Sequence, residues 1–508
     1  MHHFRSPTLA VLFTPVFAIA GSPALFAADG DAPASMDAHL KALDQEVQDL
    51  KKKLAARGEG TAKPAASQTE NVQAPLAVVR ADSAHGFLIE SADGSNRLRV
   101  GGYFDFDFRY FADDERYLNA YNASGGAANT FLIRRARPEL SATVGNIFDF
   151  RFLADFAPAQ SAYTNNYVQG PVLYDAYVAA RIDPAFAITA GQFKSPVGLE
   201  YLKYTPYDSF VELGLPSQLV PGRDEGLQVS GKVLGGILFY QIGVFNGGID
   251  GAANVYNDEN SGKDGEGRIL IAPFATGGVE WLADLNVGVS ATYGKETGSA
   301  AGLTIASPNG FPAVANTTSA LPTFKTTSQL TFFQYNTGVF ANGEHIRYSP
   351  QLYWAVGPFS TLDEYVVSKQ RIGGIGVTQP YVTNKAYQIS VGWVVTGENA
   401  SYNGITPAAD VNKGGPGAWE LVARVNHLAI GSDAFTPGAG GATDANITQS
   451  AREATVLGVG LNWLLNKNVE IQLDYEHTEF KGGGGGTADK PFDRLNENLL
   501  VLRLQLVY

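Results

Sequence analysis

From about residue 86 to the C-terminus, apolar and polar residues take turns in one segment after another, and few folds tolerate that over so long a stretch. In RLRVGGYFDFDFRYF, Leu98, Val100, Phe104, Phe106, Phe108 and Tyr110 fall on one face, and Arg97, Arg99, Asp105, Asp107 and Arg109 on the other. In FLIRRARPELSATV, Leu132, Ala136, Leu140, Ala142 and Val144 alternate with Arg135, Arg137, Glu139, Ser141 and Thr143. The pattern continues through FDFRFLADF, VLYDAYVAARI, AYQISVGWVV and VEIQLDYEHTEF. A period of two is that of β-strands, and a soluble sandwich shows it too. Three further features favour a membrane barrel. Tight joins (GNIF, IDPAF, VGPF, LNKN) alternate with long polar stretches, namely 112–128, 157–170, 194–224, 247–266, 295–342 and 432–450. Short turns at one rim and long loops at the other are the outer-membrane pattern. Aromatic residues gather at strand ends, as an interfacial girdle requires. The chain stops on LLVLRLQLVY, with Leu500, Leu502, Leu504 and Leu506 in one phase and Tyr508 last.

These segments predict an all-β fold, an antiparallel transmembrane barrel of about sixteen strands between 97 and 508. Closure satisfies every backbone donor and acceptor, which lipid demands. Sixteen strands also enclose a lumen wide enough for water and solutes. One long join, 398–416, falls on the short-turn rim and fits the scheme poorly.

Composition narrows the alternatives. Charged residues are 17% of the 508, against about 25% in an average soluble protein, while Gly (57), Phe (29) and Tyr (23) are abundant. A net charge of -13 argues against nucleic-acid binding. The lack of cysteine excludes disulfide scaffolds, thiolate metal sites and cysteine nucleophiles. No apolar run reaches the roughly 18 residues of a spanning helix.

Residues 1–27 read as an export signal, with Arg5 ahead of the apolar run Thr8 to Ala20 and small residues after it. Over 36–56, Met36, Leu40, Leu43, Val47, Leu50 and Leu54 form a heptad seam, predicting a short periplasmic coiled-coil helix. Residues 57–85, rich in Gly, Pro, Ala and Ser, read as a flexible linker. The 86–508 barrel follows.

A pore needs a constriction, a field and a polar wall rather than bond-making residues. The predicted lumen charges are close to balanced and are expected to pair largely with one another. Arg135, Arg137 and Arg151 stand out as an early-strand cationic cluster. The stretch 194–224 is too rich in Pro and Tyr for an ordinary exposed loop, and loops this long usually carry function. Folded inward as a constriction loop, it would offer Lys194, Lys203 and Arg223 as charge and Tyr201, Tyr204 and Tyr207 as walls. An external cap is the alternative.

FLIRRARPELSATVGNIFDFRFLADF, VLYDAYVAARIDPAFAITAGQFKSPVGLE, LVPGRDEGLQVSG, HIRYSPQLYWAVGPFSTLDEYVVSKQ and the closing strand together resemble the phosphate-selective porin O and P family, over nearly all of 86–508. The resemblance implies a sixteen-stranded homotrimeric outer-membrane porin whose third loop enters the lumen. It also implies that arginines and lysines line the path of phosphate or other small anions. Arg135, Arg137, Arg151, Lys194 and Arg223 are the residues onto which that role carries. The closing strand ending at Tyr508 is expected to engage the barrel assembly machinery, and acidic external loops to share divalent cations with lipopolysaccharide. No cofactor and no nucleic acid is implied. A general or cation-preferring pore is the alternative within the class. Outside it stand an envelope tether built on the heptad segment and an outer-membrane hydrolase, which the scarcity of histidine in the strands disfavours.

Overall fold

The computed structural model describes residues 77–82, 86–112, 129–157, 171–252, 262–299, 319–374, 380–438 and 441–508, with Gln45 and Lys52 as isolated helical positions. The signal segment, the heptad seam and most of the linker lie outside the described residues. Twenty-one strands appear among those described. An N-terminal hairpin is made of β1 (Ala77–Asp82) and β2 (Gly86–Ser91). The first half of the barrel is β3 (Arg97–Phe111), β4 (Thr130–Val144), β5 (Phe148–Asp155), β6 (Val172–Asp183), β7 (Phe186–Lys194), β8 (Arg223–Val233), β9 (Leu238–Phe245) and β10 (Asp264–Ile271). Next come β11 (Asn286–Thr297), a small separate hairpin of β12 (Phe324–Lys325) and β13 (Thr331–Phe333), β14 (Val339–Val356) and β15 (Phe359–Gly374). The chain closes with β16 (Tyr381–Val394), β17 (Ala418–Ala429), β18 (Ala451–Asn466), β19 (Val469–Gly486), the short β20 (Pro491–Asp493) and β21 (Glu497–Val507).

Each barrel strand pairs antiparallel with the next, and β21 returns to β3 over Val507↔Tyr103 to Leu499↔Phe111. Leaving out β1, β2, β12, β13 and β20, this is a closed ring of sixteen. β3 shares its edge: Arg97 to Val100 pair with β2, and the rest with β21. Gly101 and Gly102 mark the handover, where Gly102 and Tyr508 exchange backbone hydrogen bonds of 3.0 Å. A Cβ on Gly101 would stand 2.7 Å from the Tyr508 carbonyl oxygen, so a larger residue would push the chain end off the seam.

The linker expected over 57–85 is corrected at 77–82, which is the strand β1. A second correction concerns phase in β4. Its register slips between Asp105↔Arg135 and Phe106↔Ile133, a bulge at Arg134. Phe131 and Ile133 therefore face outward ahead of the bulge, and Leu132 does not share their face. The misfitting join is real. Residues 395–417 connect β16 to β17 at the short-turn rim, and Ala400 and Tyr402 pack inward against Leu199 and Tyr353.

Outward positions form an apolar band, exemplified by Val287 and Val289, Leu457 and Val459, and Leu500 to Leu506 in alternation. All five tryptophans (281, 354, 393, 419 and 463) lie at the short-turn rim, the interfacial girdle expected from the sequence. Trp419 and Trp463 stack at 4.8 Å and both donate to the Pro416 carbonyl. The tight turn 144–147 has positive φ at Gly145 and Asn146, the primed geometry that matches strand twist.

Inside, the barrel is partly filled. Val197, Leu215, Leu219 and Val220 from 195–222 pack with Leu321, Phe324, Phe332 and Phe333 from 319–338. Ala434 and Ala445 join them from 430–450. Their floor is a set of inward apolar strand residues, including Val366, Val382, Leu428, Val456 and Phe480. Each fully buried Phe or Leu here contributes roughly 1.5–3 kcal/mol. This apolar plug covers the β15–β19 side, and among the described residues the larger open space lies against β5–β8.

Candidate functional site: the lumen passage and its inward segment

Residues 195–222 run inside the barrel, so their backbone polar groups need partners other than a ladder. Inward side chains of the wall supply them. The backbone N–H groups of Leu199, Val211 and Leu215 donate to Glu364 (2.7 Å), Asp474 (2.6 Å) and Asn426 (3.2 Å). Carbonyls of Pro206, Asp208 and Ser209 accept from Gln505 (2.9 Å), Gln472 (3.0 Å) and Asn462 (2.9 Å). Arg503 and Arg424 donate to the Val211 and Glu212 carbonyls at 2.8 and 3.0 Å. Pro206 and Pro216 begin two short 3-10 turns within the segment.

Glu212 is the anchor. It takes Arg109 at 2.6 Å and Arg134 at 2.5 Å, with Arg135 and Arg503 both at 3.9 Å. Desolvation pushes its carboxyl up, but Arg134 and Arg109 outweigh that and hold it well below the usual range. Arg134 escapes a strict two-residue reading because the β4 bulge turns both Arg134 and Arg135 toward Glu212. The signal lay in the sequence as two adjacent arginines, of which strict alternation would have sent one into lipid.

The predicted site residues divide into three groups. Arg151, Lys194, Arg223 and Tyr204 line a cavity of about 410 Å³ against β5–β8. Arg181 joins them, with Asp149 and Asp175 as the acids of that wall. Lys203 and Tyr207 line a smaller space of about 50 Å³ on the other side of the segment, among Glu200, Asp208, Glu420 and Glu470. Arg135, Arg137 and Tyr201 line neither. Arg135 binds Asp105 (2.8 Å), Arg137 binds Asp155 (2.7 Å) and the Tyr103 hydroxyl (2.7 Å), and Tyr201 packs against the apolar plug.

Charges in the larger cavity are partly neutralised. Arg223 Nε donates to Asp175 at 2.7 Å, and Arg151 meets Glu139 at 2.9 Å and Asp175 at 3.6 Å. Arg181 pairs with Asp149. Lys194 Nζ donates to the Tyr201 and Lys203 carbonyls, both at 2.7 Å. In the smaller space, desolvation raises the Asp208 carboxyl to about 7, with Lys203 and Lys194 pulling the other way.

A closed sixteen-strand ring with a polar, partly open interior is a channel in form. The model of the family of phosphate-selective porins O and P matches residues 104–508. The chain belongs to that family. It is accordingly an outer-membrane porin, and its short-turn rim is the periplasmic one. Among curated proteins nothing matches it. Solved structures similar to this porin include the trimer form of OmpT from Vibrio cholerae (10% identity, 82% of this chain and 100% of that chain, TM-score 0.47). DcaP of Acinetobacter baumannii, an outer membrane channel, matches at 9% identity over 82% and 99% with a TM-score of 0.45. An anion-selective porin from Comamonas acidovorans matches at 11% over 81% and 100% with a TM-score of 0.44. Membership rests on the family match, and the fold on the barrel itself.

Proposed function

We propose that this porin is a passive, anion-preferring channel for small hydrophilic solutes, phosphate among them, whose water path follows the β5–β8 wall. One observation carries the reading: among the described residues four cations, Arg151, Arg181, Lys194 and Arg223, line that wall against two carboxylates, Asp149 and Asp175, and a third, Glu139, that pairs with Arg151 from behind it. In a confined passage of low dielectric such an excess draws anions inward more strongly than in bulk water. The acidic lining of the smaller space, four carboxylates against Lys203, supports the runner-up, a cation-preferring pore.

The reading extends to a homotrimer. β5 and β7 to β10 are only 8–11 residues long, against 16–18 in β14, β15, β18 and β19. That low wall, with its neighbour β4, exposes Phe131, Phe148, Phe150 and Phe152. Large flat apolar side chains on a low wall suit contact between copies.

The test is the zero-current potential of purified protein in a planar bilayer under a KCl gradient. Anion preference is expected, and Lys194→Glu should weaken it. Cation preference in the wild type would discard the anion reading and favour the acid-lined alternative.

A further inference from the structure

The larger cavity has two kinds of wall, and resting on the anion reading above, we infer that its preferred solute is a small organic monocarboxylate with an apolar or aromatic body rather than inorganic phosphate. Charge pairing points this way first. Asp149 answers Arg181, Glu139 answers Arg151 at 2.9 Å, and Asp175 is shared between Arg223 and Arg151, so one guanidinium, that of Arg223, is left to meet a single small anion.

The free donors agree. Arg223 commits its Nε to Asp175 and its two terminal amino groups find no acceptor among the described residues, while Lys194 has spent two of its three hydrogens on backbone carbonyls. A planar fork of two N–H groups takes a carboxylate or one edge of a phosphate alike, but only the carboxylate is then left with no further oxygen to satisfy. A phosphate has four oxygens to satisfy and would lose hydration that this wall does not replace.

The remaining wall is apolar. Leu153, Phe193, Leu202, Tyr103 and Tyr204 face the same space. Tyr rings also back the cations, with Arg223 4.7 Å over Tyr174 and Arg151 5.9 Å over Tyr204. Phosphate gains nothing from such a surface, whereas a ring or short alkyl body carried by a carboxylate sheds water against it.

The experiment is chloride current through the full-length protein in a planar bilayer, titrated separately with benzoate, acetate and phosphate at equal ionic strength. Benzoate is expected to block at a concentration at least tenfold below either of the others. Arg223→Gln should raise the benzoate midpoint about tenfold; the wild-type series stands by itself if that variant does not fold. Equal block by acetate and benzoate would remove the apolar wall from recognition and overturn the inference. Block by phosphate at lower concentration than benzoate would overturn it as well, while leaving the anion reading intact. Cation preference in the same membranes, with no block by any of the three, would sink the anion reading itself.

Discussion

Glu212 shows how much of a pore's shape can hang on one side chain. It sits on the inward segment yet is shared by Arg109, Arg134, Arg135 and Arg503, which come from three different strands. Breaking a buried ion pair from one side leaves uncompensated charge and costs about 3–5 kcal/mol. Asp105 and Asp107 stay in place to hold Arg135 and Arg503, so the loss should be local. Glu212→Gln is therefore expected to leave the barrel folded, loosen residues 203–215, and raise both single-channel conductance and anion preference. Single-channel recording checks this; unchanged conductance would show that the other pins suffice. Of the cations read from the sequence as candidates, Arg135 and Arg137 serve the wall while Arg151, Lys194 and Arg223 reach the open cavity.

At the scale of the element, the two faces of a strand answer to different solvents. In β21, Leu500, Leu502, Leu504 and Leu506 face outward at 36–47% exposure, while Arg503 and Gln505 are almost fully buried in the lumen network. A cation near the membrane midplane costs about 2–4 kcal/mol on a barrel's lipid face. Leu502→Arg should lose roughly that much, read as a lower denaturant midpoint for the heat-modifiable band on gels after refolding in lipid. A loss no larger than that of Leu502→Ala would contradict the assignment of this face to lipid. Alternation in β21 was plain in the sequence because nothing interrupts it. In β4 it was misread at Leu132, because a bulge inserts one residue and reverses the phase ahead of it. Bulges depend on what the strand must reach, here Glu212, a residue 78 positions from Arg134.

For the whole molecule, the apolar plug and the inward turn 395–417 decide where water can run. Three loops bury Phe324, Phe332 and Phe333 over Val366, Val382 and Val456, closing the β15–β19 side. From the periplasmic rim Tyr402 donates to the Leu199 carbonyl at 2.7 Å, so that turn braces the inward segment from below. Conduction is therefore expected to depend on the barrel and its own loops. Deleting residues 30–76, which spares β1, should leave conductance and selectivity unchanged in planar bilayers. A lost channel in a folded barrel would give the heptad segment a role in the pore, and a cell-envelope defect with intact current would support the tether.

What the sequence alone determined was everything that follows from local period: strand existence, the two faces, the alternation of short and long joins, the aromatic strand ends and the closing strand. These depend on neighbours two residues apart and on the solvent each face meets. Tertiary structure decided what depends on partners far along the chain. It paired most predicted lumen cations with carboxylates, split Lys203 from Lys194 across the inward segment, and placed the apolar plug on one side of the lumen. The inward valines of β15 to β18 carried a trace of that plug, as apolar residues in the polar phase. Which of the possible partners each inward side chain takes is set by barrel closure and loop packing, and no local pattern encodes it.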